Sequence, residues 1–304
     1  MKGSPFTHVC QRLAVLRNRD RADLHTHTTA SDGTHTPAAL AERAALAGLK
    51  AVAVTDHDST AGVEPTRAAA GGRVEVIAGV EVTAENCGRE FHLLGYFVRT
   101  DDTTLAAALA GLRAARRERL LEMARRLRAV NADLEADVAA IPDAVSLGRR
   151  HLARLLVERG AASSLHDAFA RRLAAPEVAG VPMRRLPVAE AIALVRAAGG
   201  VTSWAHPPAN TDLTALTELR DLGLQAVECV YPWPTGARGR RLRGLADALG
   251  LAITGGSDSH DPSPATRSVG ARTVTLDEVD RIRAMTSGQW SAKRLAAAQT
   301  PADH

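Results

Sequence analysis

The chain has 304 residues, of which 45% are hydrophobic and 3% aromatic, enough for one large α/β domain with a core of small aliphatic side chains. Lysine and arginine total 38 against 34 acidic residues, and the net charge of +4 is compatible with an anionic substrate without requiring nucleic acid. Cys10, Cys87 and Cys229 are far apart and form no Cys-x-x-Cys pair, which argues against a disulfide framework and a thiolate zinc site.

Residues 1–21 are predicted to form a basic N-terminal extension. Val9, Leu13 and Leu16 could line one side of a short helix there, and a packed or solvated helix is favoured over a targeting signal. No apolar run in the chain approaches the length of a membrane span. We therefore expect a cytoplasmic protein that does not bind membranes.

Strands and helices alternate through residues 22–98, the first part of the predicted barrel. Apolar runs predict strands at 22–27, 51–54, 74–80 and 90–98, and helical periodicity predicts helices at 38–47 and 60–70. Histidines and carboxylates stand within these strands or just after them: His25, His27, Asp32, His57, Glu81 and His92.

The alternation stops at residue 99, and a helical pattern continues to about residue 173. It contains an arginine-rich run at 113–128 and helices at 145–158 and 165–173. Pro176 and Pro182 mark the return to alternating strands and helices. Residues 99–183 are therefore predicted to be an inserted helical subdomain that caps the substrate site.

The second part of the predicted barrel occupies residues 184–290, and a tail follows at 291–304. The pattern predicts a helix at 188–198, strands at 200–205, 224–230 and 251–254, an edge strand at 269–275 and a closing helix from about 276. His206 follows the first of these strands, whereas Asp258 and His260 follow the third.

Alternating strands and helices form right-handed βαβ units and a mainly parallel sheet, and seven strands are enough to close a barrel. Chemistry in such barrels collects at the C-terminal ends of the strands, where most of these polar residues lie. His92 lies near the start of its strand and would face the same rim if that strand ran antiparallel. Because His25 and His27 are two residues apart on a strand, they can reach one ion together.

Imidazoles and carboxylates without thiolates suit Zn²⁺, Mn²⁺ or Fe²⁺, and the candidates outnumber the ligands of one ion. We expect two or three divalent ions, with manganese as the first expectation and zinc, iron or magnesium as alternatives. Each histidine taken alone is more readily explained as a core or surface residue. Hydrogen bonding alone, however, does not explain why so many titratable groups share one predicted rim.

The ordered motifs between residues 23 and 274 resemble those of the PHP (polymerase and histidinol phosphatase) family. They are DLHTH (23–27), SDG (31–33), TDHD (55–58), GVE (79–81), HLLG (92–95), AHP (205–207) and GSDSH (256–260). The resemblance looks closest to the stand-alone metal-dependent phosphoesterases, which include 3′,5′-nucleoside bisphosphate phosphatases and 5′-3′ exoribonucleases. It implies a distorted (β/α)7 barrel with a trinuclear metal site.

The resemblance also implies roles for individual residues. The first ion would be held by His25, His27, Glu81 and Asp258, the second by Glu81, His92 and His206, and the third by Asp32, His57 and His260. Glu81, His206 and Asp258 would be catalytic, since the metals they hold would generate the hydroxide that attacks phosphorus. Asp56 and Asp58 would orient the ligands.

Within the insertion, Arg149 and His151 match an arginine and a histidine that grip substrate phosphate in these phosphoesterases; a solvated basic helix face is the alternative. For the run at 113–128, a solvated face is favoured over a nucleic-acid surface. Relatives often carry a basic residue and an aromatic residue in a stretch that corresponds to 175–181, and both are absent here, so base stacking would lose a platform. Tyr231 and Trp233 could supply an aromatic contact instead, although packing is the more expected role.

The first functional hypothesis is a phosphohydrolase that acts on a small phosphorylated nucleotide and converts 3′,5′-nucleoside bisphosphate to the 5′-monophosphate. The second is a 5′-3′ exoribonuclease on short 5′-phosphorylated RNA, favoured if the arginine-rich insertion follows a phosphate backbone. The third is a non-catalytic, metal-stabilised binding module, which is disfavoured because every ligand position is filled and no polymerase segment is attached. We expect no obligate protein partner.

Overall fold

The computed structural model describes residues 20–128, 133–232 and 236–286. The strands are β1 (Arg21–Thr26), β2 (Ala51–Val54), β3 (Glu75–Asn86), β4 (Arg89–Tyr96), β5 (Leu186–Pro187), β6 (Val201–Trp204), β7 (Ala226–Val230), β8 (Ala252–Gly255) and β9 (Val274–Thr275). The α-helices are α1 (Pro37–Leu46), α2 (Val63–Ala70), α3 (Thr103–Leu127), α4 (Glu135–Ala140), α5 (Arg149–Glu158), α6 (Leu165–Asp167), α7 (Pro176–Ala179), α8 (Val188–Ala197), α9 (Leu213–Asp221), α10 (Gly236–Leu249) and α11 (Leu276–Thr286). A π-helix (Ala168–Leu173) and a 3₁₀ turn (Ala265–Arg267) complete the elements.

The strands form one nearly closed sheet in the order β8-β7-β6-β4-β3-β2-β1-β9, with β5 beside β3. A bridge between Thr26 and Ser259 brings the two ends of the sheet together, and the His27 N–H donates to the Ser259 carbonyl at 3.0 Å. The predicted α/β fold, a distorted barrel, is therefore confirmed. The distortion comes from β4, which runs antiparallel to both β3 and β6.

Strand β3 is longer than predicted because it changes partner part-way along. Its first residues pair with β2 in parallel, and the rest, from Gly79 to Asn86, pair with β4 in antiparallel fashion. Glu81 consequently lies inside a strand, which corrects the prediction that it ends one. The reversed direction of β4 places His92 on the same rim, as the sequence argument required.

Several predicted boundaries were wrong in the helical region. The helix predicted at 145–158 begins only at Arg149, because the Ser146 N–H donates to the Ala30 carbonyl at 3.0 Å and keeps the preceding residues extended. The helix predicted at 165–173 is mostly a π-helix. Elsewhere, the helix predicted at 60–70 begins at Val63, and the edge strand predicted at 269–275 is reduced to β9.

The helices between β4 and β5 build a hydrophobic cluster of their own. Its buried members include Leu120, Met123, Leu127, Leu152 and Leu156. Two further clusters fill the barrel interior and the layer between the sheet and its outer helices. The proposed division at residues 99–183 stays a prediction, as do the other domain boundaries. Arg21 already belongs to β1, whereas Val9, Leu13, Leu16 and the tail at 291–304 lie outside the described residues.

Across the described ranges, no helix combines the length and the apolar character that a bilayer span needs.

A buried ion pair ties α3 to the barrel. The Arg116 Nε lies 2.5 Å from Asp58 Oδ2, and its two other nitrogens donate to the Leu147 carbonyl and the Thr83 hydroxyl. The Asp58 side chain is fully buried and that of Arg116 is 9% exposed. Water therefore cannot replace either partner.

We predict that Arg116→Met lowers the free energy of unfolding by about 3–5 kcal/mol, because it leaves the Asp58 carboxylate buried without its cation. The exposed pair of Arg125 and Glu122 on the same helix gives a matched control: Arg125→Met should cost less than about 1 kcal/mol. Urea unfolding measures both. Equal, small changes in the two variants would contradict a stabilising role for the buried pair.

Candidate metal centre and substrate cleft

The first two histidines are positioned by β1 and by the loop that follows it. His25 lies in β1 and His27 just beyond its end, both fully buried. The loop then turns back, and Gly33 lies so close to the His27 carbonyl that a Cβ atom there would be 2.5 Å from its oxygen. This close approach, which only glycine allows, returns Asp32 toward the histidines.

Glu81 is the hub of the centre. It is buried, and its two carboxylate oxygens face the imidazole nitrogens of five histidines, which come from four separate segments of the chain. The distances to Oε2 are 3.4 Å from His25 Nε2, 3.4 Å from His27 Nε2 and 2.9 Å from His57 Nδ1, and those to Oε1 are 2.8 Å from His92 Nδ1 and 3.2 Å from His206 Nε2.

Asp32 and Asp258 complete the cluster on the side of His260. Asp32 Oδ1 lies 3.3 Å from His260 Nε2 and 3.8 Å from His57 Nε2. Asp258 Oδ1 lies 3.3 Å from both His27 Nε2 and His260 Nδ1. All nine residues predicted to be metal ligands are thus brought together.

Two of these residues have strained backbones. Asp258 has a φ of 49° and His206 a φ of 32°, values that side-chain-bearing residues rarely adopt. The backbone conformation of His206 is stabilised by its N–H, which donates a hydrogen bond to Glu228 Oε2 at 2.7 Å. Such conformations persist where the surrounding structure requires a particular side-chain direction, as at functional sites.

The donor set fits divalent cations. In each of three groups of residues, the imidazole nitrogens and carboxylate oxygens that could bind an ion lie within 4.8 Å of one another. The groups are His27, Asp32, His57 and His260; His25, His27 and Glu81; and His57, Glu81 and His92. Several of these buried atoms lie close to other members of the cluster but form no hydrogen bond of suitable geometry within the described residues: His25 Nε2, both nitrogens of His27, Asp32 Oδ1, His57 Nδ1 and Glu81 Oε2. Buried polar atoms are rarely left unpaired, so their convergence points to bound ions as the missing partners.

The electrostatics of the cluster keep its carboxylates ionised. Burial raises the pKa of Asp32, Glu81 and Asp258, but the neighbouring imidazoles outweigh it and hold all three pKa values well below the ordinary range. Burial, followed by repulsion from His260, lowers the pKa of His27 and keeps that ring neutral. Anionic carboxylates and neutral imidazoles are the forms that bind metal.

Further carboxylates orient these residues. Glu228 Oε1 is 3.1 Å from His25 Nδ1, which leaves Nε2 of that ring directed at Glu81 and Asp258. Asp56 accepts hydrogen bonds from Thr28 and Ser31 and so braces the loop that carries Asp32. Glu228 falls inside the strand predicted at 224–230, but no role was predicted for it. A lone carboxylate in the apolar run of β7 was the available signal.

A cleft of about 200 Å³ opens between this centre and the helices after β4. Five arginines line it: Arg116, Arg119, Arg149, Arg150 and Arg267. Three of them have carboxylate partners, Asp58 for Arg116, Asp261 for Arg150 and Asp258 for Arg267. Within the described ranges, neither Arg119 nor Arg149 has a carboxylate in ion-pairing distance, although Asp32 and Glu90 also line the cleft.

The two residues predicted to grip phosphate are placed differently. Arg149 lines the cleft at the start of α5 and is exposed. His151 is not among the lining residues, and its Nδ1 accepts a hydrogen bond from the Gly148 N–H at 3.1 Å. Tyr231 is buried and its hydroxyl donates to the Pro207 carbonyl, a packing role, whereas Trp233 lies outside the described residues.

The PHP domain model matches residues 23–139. The 5′-3′ exoribonuclease Rnm of Escherichia coli is 31% identical over 261 residues, which cover 80% of this chain and 86% of the relative. The chain belongs to the PHP family. The 3′,5′-nucleoside bisphosphate phosphatase of Chromobacterium violaceum is 30% identical, covering 82% of this chain and 90% of the relative.

Other PHP relatives extend the range of named activities. A phosphoribosyl 1,2-cyclic phosphate 1,2-diphosphodiesterase of Eggerthella lenta is 33% identical, covering 82% of this chain and 98% of the relative. The solved structure of a proposed metal-dependent phosphoesterase from Bifidobacterium adolescentis superposes with a TM-score of 0.79 at 30% identity, covering 87% of this chain and 96% of that one.

We predict that Glu228→Gln weakens the affinity for Mn²⁺ by about 10- to 100-fold, because the amide no longer fixes the His25 ring as a carboxylate does. The exposed Glu218→Gln on α9 is the matched control and should leave the affinity unchanged. Calorimetric titration of the metal-free protein measures both variants. An unchanged affinity in Glu228→Gln would show that His25 does not depend on this contact.

Binding of Mn²⁺ should release protons and tighten as the pH rises from 6 to 9. Burial opposes protonation of His92, but Glu81 and Glu90 outweigh it and raise its pKa to about 10. Below that pH the free protein therefore carries a proton on this ring, which an ion must displace. Titrations in buffers of different ionisation enthalpy detect the released protons. A pH-independent affinity would contradict the assignment of His92 as a ligand.

Proposed function

We propose that the protein is a metal-dependent phosphoesterase that hydrolyses a phosphate monoester of a small nucleotide. The leading candidate is a 3′,5′-nucleoside bisphosphate, with the 5′-monophosphate as product. The observation that carries the proposal is the buried cluster of imidazoles and carboxylates around Glu81, directly beside a cleft lined by five arginines. The relatives named as a bisphosphate phosphatase and an exoribonuclease support the same chemistry.

The proposed ligand sets divide the cluster among three ions. His25, His27, Glu81 and Asp258 hold the first, Glu81, His92 and His206 the second, and Asp32, His57 and His260 the third. Manganese is the first candidate, with zinc, iron and magnesium as alternatives. When bound, such ions neutralise charge on phosphate oxygens and lower the pKa of a coordinated water.

The side chains of the cleft would bind and orient the substrate. Arg149 is exposed at the start of α5 and can form charge-assisted hydrogen bonds to a phosphate group. Arg267 pairs with Asp258 Oδ2, so that Asp258 Oδ1 stays directed at the imidazoles. Arg150 and Arg154 share Asp261, and this contact holds α5 against the loop after His260. His151 does not line the cleft; because its Nδ1 accepts a hydrogen bond, its neutral ring would carry the proton on Nε2.

A second candidate is a 5′-3′ exoribonuclease that acts on short 5′-phosphorylated RNA. A larger groove of about 740 Å³ meets the cleft at Glu90 and His92, and it is lined in part by Asn86, Trp204 and Asn210. This groove gives a longer substrate a path away from the metal centre. A single nucleotide would not need it.

The test is phosphate release from adenosine 3′,5′-bisphosphate in the presence of Mn²⁺, by the wild type and by Asp258→Asn. We expect the variant to lose more than about 100-fold in rate, because it lacks a metal ligand that contacts the other donors directly. The exposed Asp247→Asn on α10 is the matched control and should retain full activity.

Short 5′-phosphorylated RNA, tested in parallel, separates the two candidates. Faster release of nucleotides from RNA than of phosphate from the bisphosphate would favour the exoribonuclease. If neither substrate is hydrolysed by a protein that holds its metals, the non-catalytic binding module becomes the better interpretation.

A further inference from the structure

A separate cavity of about 260 Å³ lies on the outer side of β7, where that strand ends and α10 begins. Three arginines line it: Arg240 and Arg243 from α10, and Arg272 from the segment before β9. Among the described residues, no carboxylate lines this cavity. The cleft at the metal centre differs in this respect, since Asp32 and Glu90 stand among its arginines.

The positive charge of this cavity is only partly balanced. Arg243 has an anionic partner, because its Nη1 lies 2.7 Å from Glu278 Oε1. Across the described ranges, neither Arg240 nor Arg272 has a carboxylate in ion-pairing distance. Burial raises the pKa of the Cys229 thiol, which also lines the cavity, to about 12, so this group adds no negative charge at neutral pH. A concave surface with charge of one sign attracts ions of the opposite sign.

The start of α10 adds to this field. The helix has 14 residues, and its first turn contains no acidic side chain, so the positive end of its dipole faces the cavity without opposition. It also packs closely against β7: a Cβ atom on Gly239 would lie 3.1 Å from the Cys229 carbonyl oxygen. Arg240 Nη1 lies over the same turn, 3.3 Å from the position that a Cβ atom on Gly236 would take. Arginine side chains and a helix start therefore converge on one space.

The cavity lies on the same rim of the barrel as the metal centre, because α10 follows the C-terminal end of β7. Tyr231 lines the cavity, and its hydroxyl donates to the Pro207 carbonyl at 2.6 Å. Arg238 Nη2 donates to the same oxygen, also at 2.6 Å. Pro207 directly follows His206, a proposed ligand of the second ion. One loop therefore contacts both the cavity wall and the proposed metal centre.

We propose that this cavity is a second anion site, which binds a phosphate group through Arg240 and Arg272 and uses no metal ion. Guanidinium groups offer paired N–H donors that match the geometry of phosphate oxygens. Free inorganic phosphate and a backbone phosphate of an RNA chain share this chemistry. The inference goes beyond the proposed function, because binding at this site requires no hydrolysis.

The test is equilibrium dialysis of the metal-loaded protein against radiolabelled inorganic phosphate. Arg240→Gln and Arg272→Gln should each weaken one class of phosphate site by about 10-fold or more, the loss expected for one charge-assisted hydrogen bond. Arg241→Gln is the matched control, since Arg241 is the next residue of α10, is exposed and does not line the cavity. It should bind phosphate as the wild type does.

The same measurement after removal of the metals by a chelator separates this site from the metal centre. The difference between Arg240→Gln and Arg241→Gln should persist in the metal-free protein, and thermal unfolding confirms that each variant is folded. Equal phosphate binding by the two variants would overturn the proposal. So would a difference that vanishes with the metals, because the phosphate would then belong to the metal centre. Failure to hydrolyse any substrate, with phosphate binding that depends on Arg240, would count against the phosphoesterase function alone.

The salt dependence of RNA binding distinguishes the two sources of phosphate. A 5′-phosphorylated tetranucleotide RNA and adenosine 5′-monophosphate are compared in the Asp258→Asn background, which should not cleave the RNA. If the site binds an RNA backbone phosphate, Arg240→Gln should reduce the slope of log K against log salt by about 0.7 for the RNA and leave that for the mononucleotide unchanged. If the site binds free phosphate, Arg240→Gln and Arg241→Gln should give the same slope for the RNA.

Discussion

The structure depends on holding the Glu81 carboxylate against five imidazoles in a buried space. Such a cluster is costly, because every member loses hydration and several atoms find no hydrogen-bond partner within the described residues. Opposite charges recover part of this cost, as the lowered pKa values of the three carboxylates show. The remaining unpaired lone pairs are those a divalent cation would use, so stability of the centre and metal binding are expected to be linked.

The barrel supplies the donors from separate strands and the loops that follow them, and the helices between β4 and β5 line the cleft beside these donors. Three contacts tie those helices to the rim: the Arg116–Asp58 pair, the Ser146 to Ala30 hydrogen bond, and Arg154, which donates to the Asp32 carbonyl at 2.7 Å. The last of these reaches a loop that carries a proposed ligand. A movement of the inserted helices would therefore shift the loop that carries Asp32 at the proposed metal centre.

The arginines of this chain are not equivalent. Arg125 and Arg128 form exposed pairs with nearby carboxylates, which contribute little and are consistent with a solvated helix face. Arg116 and Arg119 lie on the same helix but face inward. Arg116 forms a buried ion pair with Asp58, and Arg119 lines the cleft. One helix thus carries exposed ion pairs on one face and, on another, a buried ion pair and an arginine that lines the cleft.

The sequence by itself determined the barrel class and the nine clustered residues, because both follow from local patterns: apolar runs define strands, and polar residues at their ends must meet on one rim. Glu81 shows the limit of that argument, since the partner change that lengthens β3 depends on β4 and has no local signature. Only the tertiary structure decided which arginines face the cleft, that Glu228 contacts His25, and that Phe169 lines the cleft. These assignments depend on contacts between residues that are distant in the chain. In a helix rich in arginine and alanine, the sequence does not show which face is buried until the element that packs against it is known.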